Sequence, residues 1–301
     1  MPSWRATLTA AEITESDVRE DYTAAARRVL RREQAPYLAL RLLAAPPLVP
    51  YLTAGLAFMN LVDDTAEGPD PQIGLKLLTE RVGDALESGD SEDPVLRAYA
   101  HAVAARGLPE HWVYDFLAGA ASAEAEFDGF AAEADFQDYL DAYAWPGIVV
   151  FTGLQYRGGP DEEQAAGWRR FVDAAQRVDF LADLAGDLAG GRLCIPRDRL
   201  AEHGVTREDL EQARDTEGVR ALLAAECGLA REALDASAGI VDLADPGLRA
   251  VGRTMRELMA HQLTQVEDAG VRALRRDIGY GLLAPLRILT QARRPTPTPT
   301  T

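Results

Sequence analysis

The sequence predicts an all-α fold. Ala, Leu, Arg and Glu, all strong helix formers, dominate it. β-Branched runs are few and short, and apolar residues recur at helical spacing along most of the chain.

The elements follow in order. Ser16-Asp17 opens an amphipathic stretch that runs to about Arg32. Pro46-Pro47 breaks the chain before an apolar helix that Gly68-Pro69 stops. Helical patterns then cover residues 71–88, 94–106, 109–131, 135–156, 161–189, 217–237, 246–267 and 270–292. Asp93-Pro94 and Asp245-Pro246 each set an N-cap residue before a proline at the first helical position. Thr206-Arg207-Glu208-Asp209 resembles a capping box, and Gly190-Gly191 closes the helix before it. No solenoid repeat and no Ser/Gly-rich linker divides the chain, so residues 1–292 read as one domain. Residues 293–301, Pro/Thr low complexity, read as a disordered tail.

A chain of 301 residues with 47% hydrophobic content can bury a large core. Its net charge of −17 argues against nucleic acid as partner and against an electrostatic membrane anchor. No signal-peptide pattern opens it, and no apolar run reaches the ~20 residues of a membrane span. The expectation is a cytoplasmic protein with no transmembrane segment, for which weak membrane association stays compatible. Cys194 and Cys227 are too few for a disulfide framework or a zinc site. His101, His111, His203 and His261 are scattered, and no P-loop, G-x-G-x-x-G or G-x-S-x-G is present. Lys76 is the only lysine, so a phosphate clamp must use arginine, metal or both.

Two acidic clusters stand out. The first is Asn60-Leu61-Val62-Asp63-Asp64-Thr65-Ala66-Glu67, the second Gln176-Arg177-Val178-Asp179-Phe180-Leu181-Ala182-Asp183-Leu184-Ala185-Gly186-Asp187. At ~3.6 residues per turn, Asp63 and Glu67 share a face, as do Asp179, Asp183 and Asp187. Acidic helix faces are commonly just solvated. Here the acids are embedded in apolar sequence, and buried carboxylates must be paired or bind metal. Their place in the last helical turns, against the helix dipole, also favours bound cations. Two such ridges suit a magnesium cage for a diphosphate, since Mg²⁺ takes one or two protein carboxylates and shares phosphate oxygens. Aliphatic helices around an acidic mouth would shelter an allylic carbocation.

These residues resemble the squalene/phytoene synthase family. Its first D-D-x-x-D motif is matched by Asp63-Asp64-Thr65-Ala66-Glu67. Its second D-x-x-x-D with a G-R-x-Y-L-P-like tail is matched by Asp183 through Asp187, then Gly191-Arg192-Leu193-Cys194-Ile195-Pro196. The segments Arg199 to Thr206, Asp93 to Tyr99, Gly107-Leu108-Pro109 and Tyr143-Ala144-Trp145-Pro146-Gly147 extend the similarity. The resemblance implies an isoprenoid-synthase-like helical bundle around a central cavity, with two Asp-rich helices at its mouth. It implies Mg²⁺ on Asp63, Asp64, Glu67, Asp183 and Asp187, with Gln176 and Arg192 orienting a prenyl diphosphate. Tyr143 and Asn60 would line the pocket near the reacting carbon. Two roles fit Asp179, metal ligand or base toward the acceptor. Tyr37, Phe58 and Phe180 would stack on an aromatic acceptor, although core packing is the default for each.

The departures are specific. The family's arginine three residues before the first aspartate is Asn60, and the one before the second D-x-x-x-D is Ala182. Its Ser-rich segment appears as Gln34-Ala35-Pro36-Tyr37, and its asparagine ahead of the second motif as Asp179. A mid-chain aspartate is replaced near Ala123, with Glu124 and Glu126 close by. Losing two guanidinium forks weakens the grip on a second diphosphate. The expectation is therefore a prenyltransferase using one prenyl diphosphate donor and an uncharged, aromatic (for example carbazole-type) acceptor in specialised metabolism. Two alternatives stand: head-to-head condensation of two prenyl diphosphates, with Arg157, Arg169 or Arg177 as the clamp, or a non-catalytic binding or assembly protein.

Overall fold

The computed structural model describes residues 1–125 and 127–280. Glu126, the second half of the expected 270–292 helix and the Pro/Thr tail lie outside the described residues.

Every regular element among the described residues is helical. In chain order they are α1 (Trp4–Ala10), α2 (Ser16–Arg32), α3 (Gln34–Leu43), α4 (Val49–Ala66), α5 (Pro71–Ser88), α6 (Pro94–Arg106), α7 (His111–Gly119) and α8 (Glu133–Tyr139). There follow α9 (Trp145–Thr152), α10 (Glu162–Ala182), α11 (Leu184–Ala189), α12 (Arg197–Glu202), α13 (Arg207–Glu211), α14 (Glu217–Ala236), α15 (Ile240–Leu243) and α16 (Arg249–Ala269). Backbone contacts gather them into two compact units. The first holds residues 1–126, 139–168 and 242–251, the second the remainder.

In the first unit α4 is buried along nearly its whole length, as a helix apolar almost all round must be. It packs against α2, α5, α6 and α9. Phe58 anchors this core. It is fully buried, stacked on Tyr99 with centroids 4.0 Å apart and edge-on to Phe116. A buried Asp21–Arg97 ion pair (2.6 Å) ties α2 to α6. Asp93 caps α6 as its sequence predicts, accepting from Val95 N at 2.8 Å. Gly119 ends α7 where the chain crosses the π-helical turn Leu140–Ala144. A Cβ there would lie 1.8 Å from Ala142 O, so only glycine allows that approach.

In the second unit Leu184, Leu188, Leu193, Ile195 and Leu200 share a core with Leu210, Leu222 and Leu223. The Thr206–Asp209 capping box forms with both reciprocal bonds.

Five expectations are corrected. The 109–131 helix stops early, passing through a π-helical turn (Ala120–Glu124) before an open segment with Gly129 at φ +120°. The 135–156 helix is broken by the turn at Leu140–Ala144. The 161–189 helix divides at Asp183 into α10 and α11, because another segment enters its hydrogen-bond ladder (below). Asp245 does not cap α16. It accepts from Gly247 N at 2.7 Å in a turn that precedes the helix, which starts at Arg249. The short helices α1, α3, α12 and α13 add to the expected set, and among the described residues after α16, up to residue 280, there is one 3₁₀ turn (Gly270–Leu274) in place of the first part of the expected 270–292 helix.

Candidate active site

The first acidic motif occupies the C-terminal turns of α4. Asp63 is half-buried, and its Oδ1 accepts the Tyr143 hydroxyl at 2.7 Å. Its carboxyl is pushed up to about 6, by burial first, with Glu67 and Glu124 adding and the Tyr143 bond and Arg32 opposing. The Tyr143 phenol is held far above its ordinary value by burial and by Asp63 and Glu124. Glu124 also accepts from Tyr139 Oη at 2.7 Å, which places it in this acidic group. Asp64 is paired with both Arg28 and Arg32 of α2, and Arg32 reaches Glu67 at 3.9 Å. These two arginines were not singled out from the sequence. Their i, i+4 spacing is visible there, but their pairing with α4 exists only once the helices pack.

Asn60, one turn before Asp63, is fully buried, and neither its Oδ1 nor its Nδ2 has a hydrogen-bond partner. Its backbone carbonyl accepts from Arg28 Nη2 at 3.3 Å. A buried primary amide with both ends unmet costs roughly 1–3 kcal/mol per group, and asks for an occupant that hydrogen-bonds.

The second acidic motif spans the junction of α10 and α11. Asp183 N donates to Asp179 O and Asp187 N to Asp183 O, each at 2.9 Å, so helical phase survives the break and the three acids keep their common side. Solvent reaches the Asp179 side chain, yet the protein around it withholds enough water to push its carboxyl up to about 6, with Asp183 and Asp187 adding. The Asp183 carboxyl is also raised, by burial and then by Asp277 and Asp187. Asp187 accepts from the Cys194 thiol at 3.2 Å and lies 3.9 Å from Arg192, whose guanidinium covers the Phe127 ring at 4.7 Å. Asp277 is the carboxylate that the motif alone did not reveal. It lies 90 residues downstream of Asp187, so only the folded chain brings it near.

The other expected residues fall as follows. Gln176 is half-buried on α10. Tyr37 is buried in the first unit, its hydroxyl taking a 3.1 Å bond from Arg41. Phe180 packs against Phe130 and, with Phe136, lines a slot of about 20 Å³ that also meets Arg177, Cys194 and Glu226; that is room for about one water. A cavity of about 700 Å³ opens between Leu48, Arg106, Tyr156 and Asp245. It belongs to the other end of α4 from Asp63, ~20 Å away at 1.5 Å per residue.

Among the described residues no three His, Cys, Asp or Glu side chains converge to hold a metal ion as they stand. The donors nevertheless fit a hard divalent cation. They are carboxylates, two of them held near 6 by burial first and neighbouring carboxylates second, and Mg²⁺ needs only one or two with phosphate oxygens and water completing its shell.

The comparisons agree with this picture. The squalene/phytoene synthase family profile matches residues 30–280. The fold is shared with a squalene synthase, HpnC, from Alicyclobacillus acidocaldarius, at 23% identity and TM-score 0.71, over 95% of this chain and 100% of that one. A dehydrosqualene synthase solved with a ligand is similar at 18% identity and TM-score 0.80, over 92% and 96% of the two chains. YisP from Bacillus subtilis subsp. subtilis strain 168 is similar at 14% identity and TM-score 0.67, over 91% and 96%. No curated protein sequence matches. The chain belongs to the squalene/phytoene synthase family, and with it to the transferases of alkyl groups other than methyl.

Proposed function

We propose that this chain ionises one allylic prenyl diphosphate and transfers its prenyl group to an uncharged aromatic acceptor. The observation that carries the reading is Asn60. At the position where the resemblance calls for a phosphate-binding arginine, a neutral amide lies fully buried and unpartnered. Such a group recognises a neutral hydrogen-bonding molecule better than a second polyanion. Arg28 and Arg32 supply guanidinium forks beside Asp64, enough to steady one diphosphate.

In this reading Asp63, Asp64, Glu67, Asp183 and Asp187 bind Mg²⁺, with Gln176 and Arg192 orienting the diphosphate. Bound Mg²⁺ supplies Lewis-acid stabilisation of the diphosphate leaving group. The allylic C–O bond breaks with its electron pair leaving on the diphosphate, and the acceptor's ring carbon forms the new C–C bond. Asp179 takes the proton that ring carbon loses, a role suited to a carboxylate held up to about 6. Tyr143 fixes Asp63 through its 2.7 Å bond. Phe58, Tyr37 and Phe180 supply the apolar aromatic surroundings. No helix among the described residues is long and apolar enough to cross a membrane; a cytoplasmic location belongs to the proposal.

Head-to-head condensation is the second reading, favoured by the squalene and dehydrosqualene synthases among the similar structures. It needs a clamp for a second diphosphate. Of the candidates, Arg177 pairs with Asp173 and Glu133 and Arg169 bonds Gln137, so each, like Arg28 and Arg32 beside Asp64, would have to exchange its partner for a phosphate. Purified protein with Mg²⁺ and dimethylallyl, geranyl, farnesyl or geranylgeranyl diphosphate, with and without aromatic acceptors, separates the readings by diphosphate release and product mass. Release that requires an acceptor supports the proposal. A product of two prenyl units made without an acceptor overturns it, and Asp183→Asn should abolish either activity while leaving the fold intact.

A further inference from the structure

The break at Asp183 has a visible cause. In an unbroken helix the Gly186 N–H would donate to the carbonyl of Ala182, four residues back. Both groups are instead taken by a segment more than 90 residues downstream. Gly186 N donates to Asp277 Oδ1 at 2.8 Å, and Ala182 O accepts from Ile278 N at 2.8 Å. One helical bond is thus exchanged for two external ones. Ile278 is buried, and its own carbonyl accepts from Gln262 Nε2 at 2.9 Å, which anchors the inserted pair to α16.

Position 186 is shaped for this insertion. A Cβ there would meet Asp277 Oδ2 at 2.9 Å and Oδ1 at 3.2 Å, so glycine admits the carboxylate. Asp183 stands at the N-cap of α11 but makes no side-chain cap bond. An aspartate at that position ordinarily folds onto the amides of the first turn. Asp277 does that capping from a distance, and the Asp183 carboxylate stays uncommitted.

We propose that Asp277 is a positioning residue of the second acidic motif. It holds the start of α11 open at Gly186, which fixes Asp187 relative to Asp179 and leaves Asp183 free to take a cation. This deepens the function proposed above and rests on it for the role of the cation. The hydrogen bond, not the charge, is what the role requires, and that separates it from a further metal ligand.

The test uses the full-length protein with Asp277→Ala, Asp277→Asn and Gly186→Ala. Amide exchange at Gly186 is followed without substrate, alongside the Mg²⁺ concentration that half-saturates turnover of a prenyl diphosphate. In D277A, Gly186 exchange and the Mg²⁺ requirement should each rise about fivefold, the factor of a lost N-cap. The maximal rate at saturating Mg²⁺ should change little. D277N keeps the Oδ1 acceptor and should return both quantities close to wild type, whereas G186A should displace the carboxylate and behave as D277A. Unchanged Gly186 exchange in both D277A and G186A overturns the proposal. So does a D277N enzyme as impaired as D277A, which would make Asp277 a metal ligand. If D277A does not fold, the contrast between D277N and G186A decides. Should wild type neither bind nor convert any prenyl diphosphate, the functional reading fails, while the exchange data still test the cap.

Discussion

Replacing Tyr143 by phenylalanine removes one oxygen and little else. The ring can keep its stack on Phe116, with centroids 5.4 Å apart, so the fold should hold. What is lost is the 2.7 Å bond to Asp63. A hydrogen bond to a charged group is worth about 1.5–3 kcal/mol, or about 1–2 pKa units. That bond opposes the burial that lifts Asp63 to about 6, so its loss should carry the carboxyl to about 7–8. At pH 7 the ionised fraction then falls from about 90% to between about 10% and 50%. Cation binding that needs the carboxylate should weaken about two- to tenfold. The assay is calorimetric titration of Mg²⁺ in the presence of a non-ionisable prenyl diphosphate analogue, from about pH 5.5 to about pH 9. The midpoint of the affinity profile should move up by about 1–2 units, with wild-type affinity recovered at the alkaline end. A midpoint that stays, or moves down, would refute the reasoning, because Tyr143 would not be stabilising the charged form of Asp63.

Two further outcomes follow from the same geometry. A carboxyl raised in the fold favours the native state while protonated, so stability is full below the unfolded value of 3.8 and lost as pH rises through about 6. Metal-free protein should therefore be less stable at pH 7 than at pH 5, by about 1 kcal/mol from half-buried Asp63, and should melt at a lower temperature. Mg²⁺ should reverse the loss, and the slope should shrink in an Asp63→Asn, Asp179→Asn double variant; a slope unchanged by the double substitution would contradict it. Gly119→Ala would set a Cβ 1.8 Å from Ala142 O and 3.0 Å from Tyr143 Cα. It should lose about 1–3 kcal/mol or more in denaturant melts and shift Asp63 in the direction of Tyr143→Phe; a variant as stable as wild type would show that α7 can move aside freely.

How much of this was legible beforehand depended on whether the signal was local. The ends of α5 and α6 lie where Pro71, Gly89, Asp93, Pro94 and Gly107 put them in the sequence, because those residues act within one turn. The two acidic motifs and Tyr143 were legible for a similar reason, being compact patterns. The break at Asp183 was not, since its cause sits at Asp277. Arg28 and Arg32 were overlooked because nothing in α2 says which helix it will face. The stop after α7 was missed as well. Ala120 to Glu124 is good helical sequence, and only the close crossing at Gly119 and Ala142 shows how tightly that stretch is constrained.

The ion pairs of the first motif have a consequence for order. Asp64 already has two guanidinium partners, so a cation arriving there must evict a resident charge before it can settle. Among the described residues Asp179 and Asp183 form no ion pair with arginine or lysine, and the charges that act on them are other carboxylates. On the proposed reading Asp179, Asp183 and Asp187 would be the easier place for a first Mg²⁺, whose charge would relieve their mutual repulsion. The second comes with the diphosphate, whose own oxygens give Arg28 and Arg32 somewhere else to go. On that reading loading would be sequential, with the Arg28 and Arg32 pairs holding Asp64 until a diphosphate drew them away.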